Sequence, residues 1–191
     1  MKFIVRNTDA KDVPSILDFL NPIIESRKYS AITDPLETIE LSEWIDEVSK
    51  SGISLTAVKK SDDKAVGIQL TERFSKYNDS LKHVAEIGTF VSFSHQGLGI
   101  GKKLFDETVK ISKQLGYSKL IAIIRSDNPD AISFYKSLGF RIVGVLKKHI
   151  LIDKEYLDEI APKIELKIKR KVSFFVSNKS LKQNSLTIFE A

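Results

Sequence analysis

The 191-residue sequence predicts a mixed α/β fold, a central mixed sheet flanked by helices, and three features carry that expectation. Hydrophobic periodicity changes along the chain, from helical spacing near the N-terminus to strand-like runs and then to a strand–helix alternation. Glycines punctuate that alternation at Gly97, Gly99, Gly101, Gly116 and Gly139. With 42% hydrophobic residues, nine glycines and five prolines, the chain has enough apolar material for one core and too little punctuation for a disordered or fibrous protein.

The elements follow in order. Phe3–Arg6 reads as a short strand. Val13, Ile16, Leu17, Leu20 and Ile24 recur at three and four, with Asp12 as N-cap, Pro14 in the first turn and a bend expected at Pro22. A polar loop from Ser26 to Pro35 leads to a second helix marked by Leu41, Trp44, Ile45 and Val48 and closed by Gly52. Ser54–Lys60 and Ala65–Phe74 read as strands around a turn, and His83–Phe93 as a third. A helix then runs from the glycine cluster to Leu115, with Leu104, Thr108, Ile111 and Leu115 on one face and Gly116 as its stop. Ser118–Ile124 is a short apolar strand, and Pro129 opens a helix lined by Ala131, Phe134, Tyr135 and Leu138 and ended by Gly139. Phe140–Leu146, Ile150–Asp153 and Tyr156–Ile168 read as strands, with Pro162 tolerable only at an edge or a bulge. Ser173–Val176 and Ser185–Phe189 suggest an appended hairpin.

Charge and composition exclude several functions. Residues 1–162 hold 23 basic and 23 acidic side chains, whereas 163–191 hold seven basic and two acidic, so the whole net charge of +5 resides in the last segment. Such a segment attracts nucleic acid or serves as a solvated edge hairpin with lysine gatekeepers, and the interleaved apolar residues favour the second reading. No apolar run reaches the ~18 residues of a membrane span, and no signal-peptide pattern opens the chain, so the expected location is cytoplasmic. Zero cysteines and three scattered histidines, His83, His95 and His149, exclude thiol chemistry and argue against a catalytic metal.

Gln96-Gly97-Leu98-Gly99-Ile100-Gly101-Lys102-Lys103 lies where a strand meets a helix N-terminus, a place where backbone amides converge on an anion. The dinucleotide fingerprint fails at Lys102, and the Walker pattern fails because Gly97 to Gly101 is one residue short and Lys103 replaces Ser/Thr. A merely structural glycine turn remains the alternative to ligand contact. The segment Gln96 to Gly101 resembles the Q/R-x-x-G-x-G/A signature of the GNAT (GCN5-related) N-acyltransferase superfamily. Asn128, Ala131, Tyr135, Gly139 and Phe140 resemble its second block, N-x-x-A-x-x-x-Y-x-x-x-G-F, in the right order and with a strand between. The resemblance covers roughly residues 2–168, giving a 1–168 acetyltransferase domain with a basic extension over 169–191.

The resemblance implies a splayed sheet and acetyl-CoA as co-substrate without a metal. The backbone of Gly97, Leu98, Gly99, Ile100, Gly101 and Lys102 would cradle the pyrophosphate. Phe90, Val91 and Phe93 would pair with the pantetheine arm, Asn128 would bond it, Gln96 and Ala131 belong to the matched motifs, and Lys102, Lys103 and Lys136 would meet the outer phosphates. Amide formation needs a neutral amine, and an unperturbed amine pKa of ~10.4 puts that form about 4.6 kcal/mol uphill at pH 7. By resemblance, Glu86 is the general base and Tyr135 the proton donor to the departing thiolate. The loop between the first two helices would shape the acceptor pocket with Glu25, Tyr29 and Asp34, and Ile23–Tyr29 loosely resembles the phosphinothricin-type branch. The expected acceptor is a small amine or amino acid, or a protein or peptide amine. The rival reading is a non-catalytic acyl-CoA-binding module whose basic tail recruits nucleic acid, and a homodimer is left open.

Overall fold

Four antiparallel strands at the N-terminal side and a second group at the C-terminal side share one mixed sheet, and the line where they part makes the site. The computed structural model describes residues 2–167, so the expected hairpin over 169–191 lies outside the described residues. The strands are β1 (Phe3–Asn7), β2 (Ile53–Lys59), β3 (Ala65–Arg73), β4 (Val84–Val91), β5 (Lys119–Ile121), β6 (Ile124–Arg125), β7 (Arg141–Ile152) and β8 (Glu155–Glu165). The helices are α1 (Val13–Glu25), α2 (Thr38–Ser51), α3 (Ile100–Gln114) and α4 (Pro129–Ser137). The sheet runs β1-β2-β3-β4-β5-β8-β6, with β7 on β8.

Helical periodicity decides how the sheet is covered. Ile16, Leu20 and Ile24 of α1 and Leu41, Ile45 and Val48 of α2 form a buried stripe against Ile68 and Leu70 of β3. On the other face Ile100 and Leu104 of α3 pack on Ile53, Leu55 and Ala57, which alternate inward along β2. A third cluster joins Phe105 of α3, Tyr135 of α4 and Phe140 to Leu120, Ile124 and Ile160.

The only parallel pairing among the described residues, β4 with β5, lasts for Val84↔Lys119, Ala85↔Leu120 and Glu86↔Ile121. Past Ile121 the chain leaves β4, and β6 pairs with β8 alone. Among the described residues no strand covers the edge of β4 from Ile87 to Val91 on that side, the splay that the resemblance implied.

Several expectations need correction. Asp12 does not cap α1 with its side chain: it takes a bidentate bond from Arg6 at 2.6 and 2.8 Å, and Asp9 caps the preceding 3-10 turn. The helix runs through Pro22 to Glu25. The single strand expected over Ser118–Ile124 is two short strands, because the splay separates them. Phe140–Leu146 and Ile150–Asp153 belong to one irregular strand, β7. The expectation for Pro162 holds: it sits opposite a bulge, since Ile142 pairs with Pro162 and the next pair is Val145↔Ile160. Leu115, assigned to the buried stripe, is 52% exposed because it lies past the last turn of α3.

Candidate active site

The splay opens into a cleft of ≈ 510 Å³ bounded by β4 (Thr89, Phe90, Val91), the glycine loop, the first turn of α3 and the exposed face of α4. Its floor is backbone. Gly97 and Gly99 adopt φ of +74° and +76°, a conformation that other residues enter at a cost of about 1–2 kcal/mol, and a Cβ on either would meet nothing within 4 Å. The loop therefore turns with its backbone facing open space. The first ladder bond of α3 runs from the Lys103 amide to Gly99 O at 3.1 Å, so the amides of Ile100, Gly101 and Lys102 have no partner inside the helix. Unpaired amides and the positive end of a 15-residue helix suit a phosphate.

The third glycine has another cause. A Cβ on Gly101 would stand 2.9 Å from the Phe134 ring, so this position is small because α4 packs its aromatic onto the start of α3. Gln96 donates from Nε2 to Val91 O at 3.3 Å and ties the loop to the end of β4. The structural and ligand readings of the motif thus divide between its residues.

Helix α4 supplies the polar groups. Pro129 starts it, and Asn128, 5% exposed, accepts the Ala131 amide on Oδ1 at 3.1 Å, leaving its amide nitrogen for the cleft. Tyr135 is 4% exposed, its ring edge-on to Phe134 and Phe140. Its hydroxyl donates to Ile87 O on the uncovered edge of β4 at 3.3 Å and lies 3.1 Å from Thr89 Oγ1. Burial first, with the Glu86 charge adding, pushes its pKa up to about 12 against a lowering by the Thr89 bond. At neutral pH it is a proton donor.

A second cavity of ≈ 220 Å³ lies on the other side of Tyr135, which lines both. Its walls include Tyr29, Trp44, Leu70 and three carboxylates, Glu72, Glu86 and Glu159. Glu72 and Glu86 are register partners on β3 and β4, so two like charges stand side by side. The pKa of Glu86 is raised, by burial first and then by the charges of Glu72 and Glu159. Among the described residues neither Glu72 nor Glu86 has an ion-pair partner, whereas Glu159, 5% exposed, meets His149 at 2.6 Å. No three His, Asp or Glu side chains among the described residues are grouped to hold a metal ion. The one guanidinium of this pocket, Arg125, is buried and already engaged. It bonds Asp127 through two nitrogens at 2.9 and 2.7 Å and the carbonyls of Arg27 and Ser30, which holds Asp127 below the usual carboxylate range and fixes the loop after α1.

Of the residues singled out from sequence, Phe90, Val91, Gln96, Gly97, Gly99, Ile100, Gly101, Lys102, Asn128, Ala131 and Tyr135 surround the first cleft. Glu86 lines the second cavity and Tyr29 lines both. Phe93 is not on the strand: β4 ends at Val91, and Phe93 lies in a 3-10 turn, edge-on to Tyr29 at 5.5 Å. The Leu98 side chain is 59% exposed and outside the cleft lining. Glu25 and Asp34 border neither cavity, because the buried face of α1 ends on Ile23 and Ile24 and both acidic groups turn to solvent. Lys102 is paired with Asp106 at 2.8 Å. Sequence reading missed Glu72, Thr89, Arg125 and Glu159, and it gave no role to His95, one of the three scattered histidines, which lines the first cleft. Strand alternation was the available signal for Glu72 and Thr89, and nothing local marks Glu159.

The comparisons with known proteins agree with this geometry. The family described as "Acetyltransferase (GNAT) domain" matches residues 4–161. Phosphinothricin N-acetyltransferase of Streptomyces viridochromogenes is 24% identical over 144 residues, 75% of this chain and 76% of that one. An L-methionine sulfoximine/L-methionine sulfone acetyltransferase of Pseudomonas aeruginosa is 21% identical over 73% of this chain and 81% of its own. Among solved structures, a phosphinothricin acetyltransferase from Sinorhizobium meliloti in complex with acetyl-CoA superimposes with a TM-score of 0.79 at 21% identity, covering 94% of this chain and all of that one. An N-acetyltransferase from Staphylococcus aureus Mu50 gives 0.79 at 20% identity, over 87% of this chain. With its splayed sheet, its glycine loop at the head of α3 and the family match across residues 4–161, the chain belongs to the GNAT acetyltransferase family.

Proposed function

We propose that this protein transfers an acetyl group from acetyl-CoA to a small, positively charged primary amine. The observation that carries the reading is the meeting of two cavities at one proton donor, Tyr135. The larger has an uncovered strand edge for an extended amide-bearing arm and unpaired helix amides for a pyrophosphate. The smaller is walled by aromatic side chains and carboxylates. Related acetyltransferases acting on small amino-acid analogues support a small acceptor, as does the cavity of ≈ 220 Å³.

The chemistry divides between named groups. An ammonium is drawn toward Glu72, Glu86 and Glu159, and Glu86, whose raised pKa brings it closer to neutrality, takes a proton from the amine directly or through a water. The neutral nitrogen attacks the thioester carbonyl, the carbon–sulfur bond breaks, and the thiolate takes the proton of Tyr135; the second proton that nitrogen loses as the amide forms returns to the Tyr135 oxygen directly or through a water, and Glu86 releases its own to solvent. The amide product leaves with CoA as the free thiol.

Charge is the reason to prefer a cationic acceptor. An α-amino acid would carry its carboxylate into a pocket that already holds three, while the pocket's guanidinium is occupied by Asp127 and two carbonyls. The test is CoA release in a panel of diamines, amino-acid amides, free amino acids and peptide amines. Turnover highest with diamines and amino-acid amides supports the proposal. Preference for free amino acids would overturn its charge argument, and no CoA release with any amine would overturn the catalytic reading.

A further inference from the structure

Four polar side chains run in a line through the apolar interior behind the site. Thr108 in the middle of α3 donates from Oγ1 to Gln69 Oε1 at 2.5 Å, and Gln69 on β3 donates from Nε2 to Thr89 Oγ1 at 2.8 Å. Thr89 on β4 meets the Tyr135 hydroxyl at 3.1 Å, and Tyr135 donates onward to Ile87 O at 3.3 Å. Thr108 and Gln69 are 0% exposed, with Ile100, Leu104 and Leu70 among the buried residues of the same elements. A buried amide and hydroxyl are costly there unless fully bonded, and leucine and valine would fill the space more cheaply.

Two orders satisfy the donors and acceptors, and the orientation of the Gln69 amide decides between them. With the Tyr135 proton on Ile87 O, the bond between the two hydroxyls needs the Thr89 proton, which Thr89 is free to give because the Gln69 amide donates to Thr89 Oγ1 and does not accept from it. The Gln69 amide keeps that orientation because its own oxygen is held by Thr108. Turned over, Gln69 would accept from Thr89, and Tyr135 would then have to donate to Thr89, away from the splay.

We infer that Thr108 and Gln69 are positioning residues, which set the direction of the hydrogen-bond chain so that Thr89 donates to Tyr135 and the tyrosine proton faces the acetyl donor. The inference rests on the reading of Tyr135 as the acid of the proposed transfer. When the sulfur takes the Tyr135 proton, the Thr89 hydroxyl already points at the oxygen that becomes a phenolate, and such charge-assisted bonds are about twice as strong as neutral ones. The bond to Ile87 O is the longest of the four and is the one a thiolate replaces. Thr108 lines neither cavity, so it touches neither bound molecule, and the Tyr135 signal together with KM for acetyl-CoA separates an effect through the chain from one through a shift of α3.

The test uses the full-length protein with [13Cζ]-tyrosine, the Tyr135 signal being identified by its loss in Tyr135→Phe. Thr108→Val keeps the shape and removes the donor. It should shift the Tyr135 signal, and it should lower kcat about 3–10-fold with the best amine of the panel, leaving KM for acetyl-CoA within about twofold. Thr108→Ser, which restores a hydroxyl, should return both toward wild type. Thr89→Val should cost more, about 10–100-fold in kcat, because it removes the donor itself. A Tyr135 signal and kcat unchanged in folded Thr108→Val, with only thermal stability reduced, would overturn the inference. A shifted signal beside a Tyr135→Phe variant of undiminished turnover would leave the chain standing and defeat the acid role of Tyr135 instead.

Discussion

The two cavities, on the proposed reading a donor cleft and an acceptor pocket, share Tyr135 but are made of different materials. The cleft is built from main chain: the edge of β4 beyond Glu86, two left-handed glycines and the first amides of α3. Its chemistry is the same for any sequence that makes the turn, so it suits a co-substrate that never changes. The pocket is built from side chains delivered by β3, β4, β6, β8, α2, α4 and the loop after α1. Of these, Arg125 holds the carbonyls of Arg27 and Ser30, whereas Glu72 and Glu86 have no ion-pair partner among the described residues. If the proposed roles hold, acceptor specificity and donor recognition are separated in the fold, and variants should divide accordingly.

The largest effect expected is from Gly99→Glu, which forces a side chain onto a backbone at φ +76° and sets a negative charge beside the helix amides. Acetyl-CoA affinity by calorimetry should fall on the order of 10²-fold or more. Gly116→Glu is the control, with φ +87°, open space around it and a place at the far end of α3. It should cost about 1–2 kcal/mol of stability and leave binding unchanged.

Tyr135→Phe should come next, lowering kcat about 10–10³-fold with acetyl-CoA affinity within a few-fold, since the proton is given only in the transition state. Affinity that collapses while kcat holds would move Tyr135 from chemistry to packing.

Glu86→Gln should lower kcat/KM about 10²-fold near neutrality, with partial recovery as pH rises and free amine accumulates. Stability gives an independent reading with a fixed sign. Burial, then Glu72 and Glu159, raise the folded pKa of Glu86 above its unfolded value. The ionised group therefore costs stability above that folded pKa, and the cost vanishes as pH falls below about 4, where the unfolded carboxyl is also protonated. Glu86→Gln should then melt higher than wild type at pH 8, with the gap closing in acid. A wild-type acid limb of kcat/KM at ordinary carboxylate pH would contradict the shift.

The smallest effect belongs to Glu72→Gln, about 3–10-fold in KM for a cationic amine with none for acetyl-CoA. A matching change in acetyl-CoA affinity would show that the two regions are not separable.

The same difference in materials explains what was legible in the sequence. A main-chain site leaves a local trace, because glycines at 97 and 99, the asparagine cap at 128 and the tyrosine two helix turns further must stand at set spacings. The trace is not pure: Gly101 is required by Phe134, and Gln96 ties loop to strand. A side-chain pocket leaves almost none. Glu72 and Glu86 become neighbours only through the β3–β4 register, and Glu159 arrives from a strand 73 residues after Glu86, so proximity had to await the topology. Asp34 was chosen because it lies on the right loop, but the direction of a loop side chain has no period to read; Glu25 is the last residue of α1 and falls off its buried face. The break between β5 and β6 was hidden for a similar reason: Ala122 and Ile123 continue an apolar run, and only three-dimensional pairing shows where the strand leaves β4.

The most direct test of the central claim is the crystal structure of the protein with CoA. The account predicts the pyrophosphate on the amides of Ile100, Gly101 and Lys102, the pantetheine arm along the edge of β4 at Thr89–Val91, and the sulfur within hydrogen-bond reach of Tyr135 Oη, with the carboxylate pocket still open beyond it. A sulfur remote from Tyr135, or a CoA chain filling the space among Glu72, Glu86 and Glu159, would contradict it.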